Sequence, residues 1–208
     1  MTEALIFDLD GTLVDSLPGI AAALNAALSD AGLPTHPEEK VRDFVGSGSL
    51  ELARRALPAR TETTAEALEA AFRDHYAHTW REGTEFYPGI EEMLASLGGR
   101  KLALLSNKPH SFTREIADFL FEKGLFDRVL GQSDDFPRKP APDSTLALLA
   151  GWGISPENAR FVGDSAIDRQ TAENAGVPFI GVTWGYHHGA DLGPVTIQHP
   201  RGLSAALG

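Results

Sequence analysis

The chain has 208 residues, 29 acidic against 18 basic side chains, a formal net charge of −11 and 42% apolar residues. That length fits one domain, or one domain with an insertion, and the apolar content is too high for a disordered chain. The absence of cysteine excludes disulfides, thiolate catalysis and cysteine-ligated metal centres. The acidic balance argues against nucleic-acid binding, and no apolar run approaches the roughly 18 residues of a membrane-spanning helix.

The amino terminus passes into Ala4–Phe7 without a basic leader or cleavage site, which points to a cytoplasmic protein that does not engage membranes. Ala4-Leu-Ile-Phe7 is an apolar run followed by the turn residues Asp10-Gly11, and it predicts a buried parallel strand. Pro18 to Leu28 is helical by composition and spacing, with Gly32 as its stop. Pro37 to Phe44 opens a second helix with proline and acidic residues in its first turn, and Gly46-Ser47-Gly48 breaks it. Ser49 to Ala56 resumes helical periodicity, and Thr64 to Trp80 predicts a third long helix. No strand is predicted between residues 15 and 85.

From Pro88 the chain alternates. Helix Ile90–Leu97 precedes strand Lys101–Leu105, and helix Thr113–Lys123 precedes a weak strand at Arg128–Gly131. Helix Asp143–Trp152, strand Ala159–Val162 and helix Ala166–Ala175, stopped by Gly176, come next. Strand Pro178–Thr183 and a last strand at Val195–Ile197 precede a short carboxy-terminal helix. Strands alternating with helices predict an α/β fold with a parallel sheet covered on both faces. The predicted organisation is a core of residues 1–14 and 86–208 interrupted by an all-helical insertion, residues 15–85.

In an open parallel sheet, ligands bind beyond the carboxyl ends of the strands. Asp8 and Asp10 follow the first strand, Ser106-Asn107-Lys108 the second, and Gly163-Asp164, with Asp168 one turn on, a later one. Lys139 sits in a loop just before a helix. A chain this acidic repels an anionic ligand at long range, so a site for one needs local positive charge. Four converging carboxylates also need a cation, and hard oxygen ligands with room for water suit magnesium. Lys139 supplements it. Such a site favours phosphoryl transfer, where positioning and charge neutralisation dominate. One carboxylate of the Asp8/Asp10 pair can attack phosphorus while the other moves the proton, and Gly11 lets the backbone turn sharply beside the ligand.

Other readings compete at each position. Asp8-x-Asp10-Gly could be a calcium loop or a plain turn, but the glycine comes too early for an EF-hand and a strand precedes it. Ser106-Asn107 could cap a helix, and Lys108 reads as a surface or helix-entry residue. Gly46-Ser47-Gly48 could be a hinge, Arg54-Arg55 a solvated helix face, and His187-His188 an exposed loop.

Asp8-Leu-Asp10-Gly-Thr-Leu-Val, Leu105-Ser106-Asn107-Lys108, Lys139-Pro140 and Gly163-Asp164-Ser-Ala-Ile-Asp168 resemble the four motifs of the haloacid dehalogenase superfamily, in order and over essentially the whole chain. The resemblance implies a Rossmann-like core with a helical cap domain inserted after the first motif. It implies Asp8 as nucleophile and magnesium ligand, and Asp10 as general acid/base with its carbonyl on the metal. Ser106 then binds the transferring phosphoryl group with help from Asn107, Gly11 and Thr12. Lys139 neutralises charge, Asp164 ligates magnesium, and Asp168 supports the metal or orients Lys139.

Tyr87-Pro-Gly-Ile90, Lys139-Pro-Ala-Pro142 and Gly181-Val-Thr-Trp-Gly-Tyr186 are most similar to phosphoglycolate phosphatases and their near relatives. In such relatives the loop corresponding to Gly46 and Ser47 faces the substrate. Arg169 stands where they carry an apolar residue. The implied substrate is a small phosphorylated metabolite, with phosphoglycolate the leading one. Phosphomutase and pyrophosphatase chemistry or a non-catalytic binding domain are the alternatives, and Asp10 argues against dehalogenation. Monomer and homodimer are both compatible with the sequence.

Overall fold

The computed structural model describes residues 2–187 and 190–207. In chain order it contains β1 (Ala4–Phe7), β2 (Val14–Asp15), α1 (Leu17–Asp30), α2 (Glu38–Arg42), α3 (Ser49–Ala56), α4 (Ala65–Thr79) and β3 (Glu85–Phe86). There follow α5 (Ile90–Ala95), β4 (Lys101–Pro109), α6 (His110–Leu120), β5 (Arg128–Gln132) and α7 (Asp143–Trp152). Last come β6 (Ala159–Gly163), α8 (Ala166–Ala175), β7 (Phe179–Val182), β8 (Thr196–Ile197) and α9 (Leu203–Ala206).

Six strands form one sheet in the order β5-β4-β1-β6-β7-β8, and every pairing is parallel. Strand β1 is central and wholly buried, which is why it reads as an unbroken apolar run rather than an alternating one. Ala4 and Ile6 pack with Ala103, Leu105 and Phe161 against Leu148, Leu149 and Ala172 of the covering helices. The registers align the strand ends. Phe7 pairs with Leu104 on one side and with Val162 on the other. Asp8 therefore leaves the sheet at nearly the same level as Ser106 and Asp164.

The chain divides into two compact units, Met1–Val14 with Phe86–Gly208, and Asp15–Glu85. The second is helical. Its α1 and α4 bury Leu24, Leu28, Leu68, Phe72 and Tyr76, and the rings of Phe72 and Tyr76 stack at 5.4 Å. Thr64 caps α4 by accepting from the Ala67 N–H at 3.2 Å. A Cβ on Gly83 would overlap the backbone of Gly19, so only glycine permits this approach. The short strands β2 and β3 pair where the chain leaves and re-enters the core, a pairing too short to register as a periodic pattern.

Most predicted elements stand within a residue or two of their observed ends, with three instructive differences. The helix predicted over Pro37–Phe44 is confined to Glu38–Arg42, and tight turns carry the chain on to Gly46. The helix predicted over Thr113–Lys123 starts at His110 and ends at Leu120. Strand β4 runs on to Pro109, past the predicted end at Leu105, with an irregular register against β5 between Leu105 and Pro109. Polar residues hide that extension, because Ser106, Asn107 and Lys108 are not typical strand formers. Among the described residues no helix is long and apolar enough to cross a membrane.

Candidate active site

Asp8 follows β1, and its N–H donates to Val162 O at 3.0 Å, continuing the ladder one residue beyond the strand. The chain then turns. Gly11 adopts φ 81°, and a Cβ there would stand 2.5 Å from Asp164 Oδ2. Both the conformation and the space demand glycine. Gly11 N–H donates to Val14 O at 2.9 Å and closes the loop. Thr12 Oγ1 donates to Asp164 Oδ1 at 3.3 Å, so the first and last motifs are tied directly together.

Three buried carboxylates converge at this edge. Asp8, Asp164 and Asp168 each offer an oxygen within 4.8 Å of the others. Lys139 Nζ lies 2.8 Å from Asp8 Oδ1 and donates to Asp168 Oδ1 at 2.6 Å. Burial, and then the charge of Asp168, push the Asp8 carboxyl from 3.8 up to about 7, against the opposing pull of the Lys139 ammonium. Burial and the charges of Asp168 and Asp8 raise Asp164 well above its ordinary value. Burial alone would lower Lys139, but the charges of Asp168 and Asp8 prevail and raise it, so it remains an ammonium. One ammonium among three carboxylates leaves the cluster short of positive charge. The donor set is all hard oxygen, and a divalent cation of the oxygen-preferring class fits it.

Each charged group is held by neighbours. Asp168 Oδ2 accepts from Ser165 Oγ at 2.5 Å and from the Ser165 N–H at 3.2 Å, while the Asp168 N–H donates back to Ser165 Oγ at 3.2 Å. This capping box starts α8, so the helix-cap reading of the last motif and its functional reading fall on the same residues. Asn107 grips the Lys139 backbone from both sides. Its Oδ1 accepts from the Lys139 N–H at 2.8 Å, and its Nδ2 donates to the Lys139 carbonyl at 3.1 Å. Ser106 Oγ is buried and accepts from the Lys108 N–H at 3.1 Å. Neither Ser106 nor Asn107 caps α6, which begins at His110.

Two features escaped the sequence. Lys108, expected as a surface or helix-entry residue, lies two residues before α6 but is buried at the end of β4, and its Nζ donates to Asp10 Oδ1 at 2.9 Å. The stretch Thr183–Tyr186 supports Asp164. The Tyr186 N–H donates to Asp164 Oδ2 at 2.8 Å, and Trp184 Nε1 donates to the Thr12 carbonyl at 3.0 Å. The Trp-Gly-Tyr residues stood out in the sequence without a role, and no local pattern signals contacts across 172 positions.

Gly46 and Ser47 belong to the helical unit, in the turn between α2 and α3, where Gly46 has φ 112°. Ser47 Oγ accepts from Arg55 Nη2 at 3.4 Å, and both Arg54 and Arg55 pair with Glu51 on an exposed helix face. Arg169 is also on the surface, paired with Glu173 at 2.8 Å and Asp191 at 2.7 Å. Of the two predicted loop histidines, His188 lies outside the described residues.

A family model described as haloacid dehalogenase-like hydrolase matches residues 5–182. A phosphoglycolate phosphatase of Pseudomonas putida is 38% identical over 209 residues, 96% of this chain and 75% of that protein. One from Escherichia coli K12 is 37% identical over 233 residues, 99% of this chain and 92% of that protein. A crystal structure of a predicted phosphoglycolate phosphatase from Haemophilus somnus superposes with a TM-score of 0.91 at 30% identity, covering 98% of this chain and 97% of that one. With its parallel α/β core and strand-end carboxylates, the chain belongs to the haloacid dehalogenase-like hydrolase family.

Proposed function

We propose that this chain is a magnesium-dependent phosphate-monoester hydrolase that works through an aspartyl-phosphate on Asp8, with 2-phosphoglycolate as its substrate. The observation that carries the reading is the pairing of buried Asp8 with the Lys139 ammonium at 2.8 Å beside Asp164 and Asp168. The substrate comes from the relatives' names. In this reading residues 15–85 serve as the cap domain, and Gly46 and Ser47 are its substrate-facing loop.

Magnesium, held by Asp8, Asp164 and the Asp10 carbonyl with Asp168 in support, supplies charge neutralisation for the transferring phosphoryl group when bound. The Asp8 carboxylate attacks phosphorus, and the bond from phosphorus to the ester oxygen breaks. Asp10 gives its proton to the departing alkoxide, then takes one from the water that cleaves the acyl-phosphate and regenerates Asp8. Lys139 offsets charge on Asp8 and the phosphoryl oxygens. Ser106 donates its hydroxyl proton to one of those oxygens, and Gly11, Thr12 and Asn107 shape the phosphate cradle.

The test is phosphate release from a panel of phosphorylated metabolites with and without magnesium. Phosphoglycolate should rank first, and chelation should abolish turnover. The Asp8→Asn variant should fold and lose about 10⁴-fold or more in kcat. An absence of turnover across the panel with magnesium present would sink the hydrolase reading, and an active Asp8→Asn variant would sink the nucleophile assignment.

A further inference from the structure

The proposed chemistry uses Lys139 but leaves the second buried ammonium of the core without a task. Lys108 sits on the irregular end of β4, and its side chain is 7% exposed. Its Nζ donates to Asp10 Oδ1 at 2.9 Å. Asp10 is the group assigned to the leaving oxygen, so Lys108 stands on the leaving-group side of the reacting phosphorus. Lys139 is on the other side of the division of labour, committed to Asp8 and Asp168. A buried lysine loses hydration and rotamer freedom, and a purely structural ion pair gives little in return. A lysine in this position has a use if the substrate brings a second negative charge.

We infer that Lys108 is the specificity residue that receives the carboxylate of the substrate. The inference rests on the phosphatase reading above and names the group that reads the part of the substrate away from phosphorus. The geometry permits it. Proton transfer requires an Asp10 oxygen about 3 Å from the leaving oxygen. Lys108 Nζ is 2.9 Å from Asp10 Oδ1, which leaves Oδ2 to carry the proton. The ammonium therefore lies within about 8 Å of the leaving oxygen. In phosphoglycolate one methylene separates the ester oxygen from the carboxyl carbon, which puts the nearer carboxylate oxygen about 3 Å from the ester oxygen by ordinary bond lengths. The farther carboxylate oxygen, about 4 Å from the ester oxygen, and one hydrogen bond can close the gap. An ammonium has three N–H donors, so it can hold Asp10 with one and the incoming carboxylate with another. The ligand class is a short phosphate monoester bearing a carboxylate one carbon from the ester oxygen. Neutral alkyl phosphates of the same length lack that carboxylate.

The test separates binding from turnover by using inert phosphonates. In 3-phosphonopropionate a methylene replaces the ester oxygen of phosphoglycolate, and propylphosphonate is the neutral-ended control. Calorimetry with magnesium present should show the wild type binding the carboxylated ligand about 10- to 100-fold more tightly, the range expected of one charge-assisted contact. Lys108→Met should erase that preference while propylphosphonate binding moves by no more than about threefold, and Lys108→Arg should restore part of it. A preference that survives in Lys108→Met overturns the inference. So does an equal loss of both ligands in Lys108→Met and Lys108→Arg, or a wild type that binds the two alike or binds neither. If the preference behaves as expected but phosphoglycolate is not hydrolysed, the hydrolase reading fails alone. If hydrolysis occurs and the preference ignores Lys108, only the present inference fails.

Discussion

At the residue scale the candidate site depends on contacts that leave no spare volume. Gly185 is the sharpest case. A Cβ there would overlap both the Gly11 carbonyl oxygen and the Asp164 carboxylate. The next residue, Tyr186, donates its N–H to Asp164 Oδ2 at 2.8 Å. Gly185→Ala should therefore push the Asp8–Gly11 turn and Asp164 apart. The expected outcome is a loss of about 100-fold in kcat, the effect of a shift near 1 Å at a reacting centre, with about 1–3 kcal/mol of stability lost to overpacking. If Asp164 holds magnesium as proposed, magnesium half-saturation should move to higher concentration, because that carboxylate is displaced. Steady-state kinetics against magnesium and a thermal melt check both. Wild-type values for Gly185→Ala would show that the loop yields and does not hold Asp164. Asn107 illustrates the same economy: a side chain assigned to phosphate from the sequence also fixes the Lys139 backbone through two hydrogen bonds.

At the scale of elements, the sheet edge at β5 is tied to β4 by Asp127. Its carboxylate accepts from Lys101 Nζ at 2.6 Å and from the Leu102 N–H at 3.0 Å, while its own N–H donates to Leu102 O at 2.8 Å. Burial pushes this carboxyl up, but hydrogen bonds from Lys101 and Leu102 outweigh it and hold it below 3.8. A carboxyl lowered in the folded state contributes stability above its unfolded pKa near 3.8, and loses that contribution as pH falls through the folded value. Asp127→Asn should thus cost about 1 kcal/mol at pH 7, modest because Lys101 is half exposed. The gap should close in acid below the folded pKa. Thermal melts of both proteins across that range decide it, and a gap independent of pH would assign the cost to packing.

At the scale of the whole molecule, the net charge of −11 opposes the approach of a dianionic or trianionic substrate. Added salt shortens the Debye length from about 30 Å at 10 mM to about 8 Å at 150 mM. At constant free magnesium, KM for phosphoglycolate should fall by about two- to threefold over that interval, the reverse of what a basic surface would give. A KM that rises with salt would mean that the local ammonium groups and the metal, rather than the global charge, govern capture.

The amino-acid sequence by itself determined the strand-and-helix alternation of the α/β core, and it carried three motifs at strand ends and the loop lysine Lys139. These follow from short-range rules: apolar runs, helix stops at Gly32 and Gly176, and reactive side chains next to strand ends. Tertiary structure alone decided which groups meet. The parallel register brings Phe7, Leu104 and Val162 level and so sets Asp8 beside Asp164, while Asn107 at the end of β4 holds the Lys139 backbone so that its ammonium reaches Asp8. It also buries Lys108, which read as a surface or helix-entry residue, against Asp10, 98 positions away. A lysine's charge is local information. Its partner is not, because it depends on which strands the sheet places side by side.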